Sequence, residues 1–116
     1  MIKVKRIYDP PAAEDGFRIL VDRLWPRGLS KEKARVDLWL KEISPSNELR
    51  KWYAHDPQKW TEFKRKYWGE IEGKKQEFAT LHQKAKVGTV TFLFSSKEEK
   101  LNNAAALKDF VEGRRI

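Results

Sequence analysis

The chain has 116 residues, 40% of them hydrophobic and 36% charged, and a net charge of +8. That length predicts one domain, residues 1–116, with a core that needs no staples. The absence of cysteine excludes disulfides and thiolate chemistry, two histidines exclude a histidine-rich metal cluster, and no apolar run approaches a membrane span.

The opening residues lack the apolar stretch of a secretory leader, so the expectation is a cytoplasmic protein with no membrane partner, no metal and no cofactor. The positive charge suggests an anionic partner, either a small ligand or nucleic acid. Lysine interspersed with glutamate also suits a solvated surface, and scarce Asn and Gln lean toward a heat-adapted source.

Residues 2–8 alternate apolar and basic side chains, with Ile2, Val4, Arg6 and Tyr8 on one side, and read as a strand. Two prolines and an Asp-Gly pair mark residues 9–16 as a loop. Residues 17–21 form a nearly all-apolar run, which predicts a central strand. After Ser30, a natural helix cap, Val36, Trp39, Leu40 and Ile43 fall at helical spacing, so one helix is expected there, ended by Ser44-Pro45-Ser46. Ser46 is placed to cap a short helix that turns Leu49, Trp52 and Tyr53 inward. Asp56-Pro57 signals the start of a long helical stretch in which Trp60, Phe63, Tyr67, Ile71, Phe78 and Leu81 keep step. Gly69 and Gly73 predict a kink or break between Trp68 and Lys75. Residues 89–94 read as a third, mostly apolar strand, residues 95–100 as a polar loop. Asn102 or Asn103 then caps a last helix with Ala106, Leu107, Phe110 and Val111 inward. The whole predicts an α/β domain: a small, mainly parallel sheet with helices packed against it.

The most telling stretch is Asp22-Arg23-Leu24-Trp25-Pro26-Arg27-Gly28, directly behind the central strand. In open α/β sheets ligands bind beyond the strand C-termini. If the second and third strands are parallel neighbours, this run and the loop at Ser95, Ser96 and Lys97 meet on one edge. Arginine presents a planar fork that matches carboxylate or phosphate. Arg23 and Arg27 would clamp an anion, Trp25 would offer a stacking face, and Ser95, Ser96 and Lys97 would add hydrogen bonds and charge. Asp22 would orient an arginine or act as a base. His55, before a helix start, is the second candidate for acid–base work, whereas His82 reads as a surface residue. The bland alternatives are an Asp22–Arg23 or Asp22–Arg27 ion pair with Trp25 as a core plug, and a plain capped loop at Ser95. A Ser–Lys nucleophile pair there is the weakest reading. A second function class is a nucleic-acid-binding module using Lys59, Lys64, Arg65, Lys66, Lys74 and Lys75, with Arg114 and Arg115. Tryptophan stacking on bases would fit it, although most of the five tryptophans fall on inward helical faces.

Residues 18–34, which hold that run, resemble the hallmark stretch of the YeaO-like proteins, a prokaryotic family of unknown function. The resemblance continues through Asp37-x-Trp39-Leu40-Lys41, Ser44-Pro45-Ser46-x-x-Leu49-Arg50-Lys51-Trp52, His55-Asp56-Pro57-x-x-Trp60-x-x-Phe63 and residues 88–94. It spans essentially the whole chain and implies a small α/β domain without implying an activity. Members of that family often carry a histidine where Leu101 stands here. If that histidine is catalytic in relatives, the resemblance implies that this chain binds without turnover.

Overall fold

The computed structural model describes residues 1–113. Four strands, β1 (Ile2–Arg6), β2 (Phe17–Leu20), β3 (Leu38–Trp39) and β4 (Val90–Phe94), form a sheet of order β1-β4-β2-β3 in which every pairing is parallel. The helices are α1 (Lys31–Ala34), α2 (Asn47–Tyr53), α3 (Trp60–Ile71), α4 (Lys75–Val87) and α5 (Asn103–Val111). The expected α/β class and parallel sheet are therefore present, and β4 and β2 are neighbours, with Phe17 opposite Val90 and Leu20 opposite Leu93.

Strand alternation sends side chains to two faces. Ile2, Ile19, Val21, Val90, Phe92 and Phe94 join the main core, where Leu49, Phe63, Tyr67, Leu81 and Phe110 cover them from α2, α3, α4 and α5. Leu20, Leu93 and Ile7 face the other way into a smaller cluster with Ala34, closed by Trp25, Leu29, Val36 and Trp39. All five tryptophans are half-buried and packed against one cluster or the other: Trp52, Trp60 and Trp68 from inward helical faces, Trp39 from β3 and Trp25 from the loop after β2. Tyr67 is fully buried and donates to the Ile43 carbonyl at 2.6 Å. Burial, with Asp22 and Glu70 adding to it, pushes its phenol well above the usual value, so it remains a neutral donor.

The single helix expected between Ser30 and Ile43 is not there. Ser30 does cap a helix, accepting the Lys33 N–H at 3.2 Å, but α1 lasts four residues and ends at Arg35, whose φ of 49° is left-handed. The chain then pairs as β3 on the open edge of β2, and residues 41–43 form a 3-10 turn. A distant residue causes the switch. Buried Arg18 donates to the carbonyls of Ala34 at 2.8 Å and Arg35 at 3.1 Å, and so satisfies the end of α1. Its backbone N–H donates to the Asp37 carboxylate at 2.8 Å, which draws the next segment into the sheet. The buried ion pair between Arg18 and Asp15, 2.5 Å, anchors this arrangement, with Lys5 as a second cation on Asp15. The other caps fall where expected, at Ser46, Asp56 and Asn102. The break after Trp68 lies at residues 72–74, and Gly69 sits inside α3. No helix among the described residues is long and apolar enough to cross a membrane.

Candidate functional site

The two strands at the centre of the sheet release their chains in opposite directions. After β2 the chain turns to the face of the small cluster, where Ala34 of α1 packs. After β4 it turns to the main-core face, where α5 packs. Such a divergence opens a crevice between the two strand ends. The crevice here is a cleft of about 900 Å³. One wall is residues 22–27, the second is the loop from Ser95 into α5, and the third comes from residues 44–55.

Asp22 holds the first two walls together. Its Oδ2 accepts the Ser95 N–H at 2.9 Å and the Ser95 hydroxyl at 2.8 Å, and its Oδ1 accepts Asn103 Nδ2 at 3.1 Å. Its carbonyl takes the indole N–H of Trp39 at 2.8 Å. One residue thus ties the ends of β2 and β4 to the start of α5 and to β3. Neither Arg23 nor Arg27 pairs with it, so the expected orientation of an arginine by Asp22, and equally the alternative ion pair, are not what the carboxylate does.

The loop after β4 is built from its own polar groups. Ser96 Oγ accepts the Glu98 N–H at 3.0 Å, and Glu98 Oε2 accepts the N–H groups of Lys100 at 2.9 Å and Leu101 at 3.1 Å. Those two N–H groups, with nearby His55 adding to them, hold the Glu98 carboxyl below its usual range. Arg6 braces the loop from β1 by donating to the Ser95 and Ser96 carbonyls. Leu101 lines the cleft, and its carbonyl takes the Tyr53 hydroxyl at 3.0 Å. The Ser95 hydroxyl is turned to Asp22, away from any Ser–Lys pairing.

The third wall is locked on by Glu70 of α3, which accepts the Ser46 N–H at 2.8 Å and the Ser46 hydroxyl at 2.5 Å. It brings Arg50 and Lys51 of α2 to the cleft. Sequence reasoning missed both. The signal was the helical spacing of Leu49, Trp52 and Tyr53, which turns Arg50 and Lys51 outward, but the spacing does not tell which outward face meets a cleft.

The structure brings Asp22, Arg23, Trp25, Arg27, His55, Ser95, Ser96 and Lys97 to this one cleft. Their settings differ. Trp25 is a half-buried plug: its indole N–H donates to the Leu29 carbonyl at 2.6 Å and its ring meets Trp39 edge-on at 5.5 Å. Arg23 reaches the Pro45 carbonyl at 3.5 Å, and its Nε is buried without a partner. Arg27 and Lys97 are exposed, and neither side chain forms a hydrogen bond or ion pair among the described residues. His55 is exposed at φ 57°, its ring 6.2 Å from that of Tyr53. No group of three His, Asp or Glu among the described residues could hold a metal.

The basic helical face is largely self-engaged. Lys59 donates to the Trp52 carbonyl, Lys64 pairs with Asp109, Arg65 with Glu62, and Lys74 reaches the Glu42 and Ser44 carbonyls. Lys66 lies over the Trp52 ring at 4.6 Å. Arg114 and Arg115 lie outside the described residues.

Fold and cleft together define a parallel α/β domain with a cationic crevice at its topological switch point. The chain belongs to the YeaO-like family of prokaryotic proteins. A family model described as the inactive DUF488-N3 subclade matches residues 1–115. The uncharacterized protein YeaO of Escherichia coli K12 is 43% identical over 110 residues, which cover 95% of this chain and 96% of that protein. An uncharacterized protein of Mycobacterium tuberculosis H37Rv is 35% identical over 113 residues, 97% of this chain and 95% of that one. No solved structure matches the chain.

Proposed function

We propose that this protein binds a small anionic ligand, a phosphorylated metabolite foremost, in the cleft at the C-terminal edge of its sheet, and that it does so without turnover. One observation carries the reading. Five cations, Arg23, Arg27, Arg50, Lys51 and Lys97, line the cleft against two carboxylates, and both carboxylates are already engaged. Uncompensated positive charge at a crevice raises the local concentration of anions and favours their capture. The buried Nε of Arg23, which lacks an acceptor, supports the same reading, because an orphaned charged donor is costly until a ligand or water meets it.

Binding without chemistry is supported by how Asp22 is used. A general base needs a free lone pair toward substrate. Three donors already sit on Asp22, two on Oδ2 and one on Oδ1, the pattern of a loop lock that leaves only about one of its four acceptor sites open. The matching family, described as an inactive subclade, points the same way. His55 stands at the rim, exposed, with no carboxylate hydrogen-bonded to its ring among the described residues.

The test is a thermal-shift screen with phosphate, sulfate, citrate and phosphorylated sugars, run on wild type and Arg27→Ala. A ligand at a hundred times its Kd adds about 2.7 kcal/mol, roughly 10 °C for a domain of this size. A shift is expected with at least one anion, reduced in Arg27→Ala, whose ligand-free melting temperature stays within about 2 °C because the residue is exposed and its side chain holds nothing. No shift with any anion, or an Arg27→Ala that unfolds, refutes the proposal.

A further inference from the structure

We infer that the ligand carries several negative charges in a row, as a nucleoside triphosphate does, and not one phosphate alone; this rests on the cleft being an anion site. The free cations stand on three separate walls. Arg27 follows β2, Lys51 lies on α2 and Lys97 follows β4, so each belongs to a different wall. All three are exposed, and none of their side chains forms a hydrogen bond or ion pair among the described residues.

Like charges around a crevice repel, and the two carboxylates in its lining offset only part of the five positive charges and pair with none of them. Asp22 is spent on Ser95 and Asn103, Glu98 on the N–H groups of Lys100 and Leu101. A single phosphate next to Arg23 and Arg27 would leave Lys51 and Lys97 on the other walls unmatched. A short chain of phosphates carries a separate charge for each wall. The volume agrees: about 900 Å³ lies near the top of the roughly 300–1,000 Å³ that small-molecule pockets occupy. Apolar cover for an organic body is also present. Leu24 is 68% exposed beside the cleft, and Leu101 lines it.

The experiment is calorimetric titration of the whole chain at low salt with orthophosphate, pyrophosphate and tripolyphosphate, followed by adenosine and uridine triphosphates. One further charge-assisted contact corresponds to about tenfold in affinity, so the inorganic series should tighten by about tenfold per added phosphate. A nucleoside triphosphate should then bind tighter than tripolyphosphate of equal charge. Lys51→Ala and Lys97→Ala should each flatten the series, while Lys75→Ala, exposed on α4 and outside the cleft, leaves it steep. Equal affinity for all three inorganic probes overturns the inference and leaves the anion site standing. A steep series unmoved by Lys51→Ala and Lys97→Ala also overturns it, since the charge would then act elsewhere. Failure of every phosphate to bind, together with a flat thermal-shift screen, removes the anion site itself. Tight binding only of single-stranded oligonucleotides, erased by salt, transfers the cleft to a nucleic-acid strand and overturns the small-molecule assignment.

Discussion

Asp22→Ala separates the two parts that the cleft's central carboxylate plays. The substitution removes acceptors for the Ser95 N–H at 2.9 Å, the Ser95 hydroxyl at 2.8 Å and Asn103 Nδ2 at 3.1 Å. A hydrogen bond to a charged group contributes about 1.5–3 kcal/mol, but the three do not add in full. Asn103 keeps the Val21 carbonyl at 3.1 Å, and the Ser95 hydroxyl is free to turn to water in the half-exposed cleft. The backbone N–H of Ser95 has no such substitute, and the tie between the ends of β2 and β4 is cut. The net expectation is a loss of about 2–3 kcal/mol, equivalent to about 10 °C in melting temperature. Urea unfolding followed by far-UV circular dichroism reads it as a lower midpoint at unchanged slope. Asp22→Asn keeps an acceptor and should recover about half of the loss. Both variants delete a negative charge from an anion cleft, so anion affinity should rise while stability falls. A loss below about 0.5 kcal/mol, the range of ordinary surface changes, would refute the strut. Weaker anion binding by a folded Asp22→Asn would refute the electrostatic reading of the cleft.

Two further outcomes test the frame that carries the site. Burial alone would raise the Asp15 carboxyl, but the Ala12 N–H, Lys5 and Arg18 more than reverse it and hold the group below the usual carboxylate range. Its stabilisation is therefore complete above the unfolded value of about 3.9 and is lost as pH falls through the lower folded value. In urea midpoints measured from pH 6 to 2, Asp15→Asn should start about 3 kcal/mol less stable and fall less steeply below pH 4; parallel curves would contradict this. Gly16→Ala meets both a φ of 65° and a new Cβ that would lie 2.2 Å from the Thr89 carbonyl oxygen. That oxygen accepts the Phe17 N–H at 3.0 Å at the start of β2, so it has little room to yield, and a cost above about 3 kcal/mol is expected in the same assay. A near-neutral alanine would mean that the entry to β2 relaxes.

Much of the fold is local information. The runs at residues 17–21 and 89–94 are apolar on both sides because both faces of those strands are covered, and that pattern is visible without coordinates. Caps at Ser30, Ser46, Asp56 and Asn102 act within three residues of themselves, so their chemistry is legible in the chain. The edge position of the Asp22-to-Arg27 run follows from the strand before it, and its likeness to the YeaO-like family follows from the residues themselves.

Tertiary structure decided what depends on partners far away. Val36, Trp39, Leu40 and Ile43 have helical spacing, yet Arg18 and the open edge of β2 turn that segment into β3; a short periodic run is nearly balanced between the two states, and a few long-range hydrogen bonds tip it. Asp22 has two arginines close by in sequence but bonds to Ser95 and Asn103, more than seventy residues on, because parallel pairing of β2 with β4 brings those donors within 3.1 Å. The third wall of the cleft, with Arg50 and Lys51, is set by Glu70 clamping Ser46 across 24 residues. Periodicity determines that a side chain faces outward from its own helix. Only the packing of one element on another determines whether outward means solvent or a cleft.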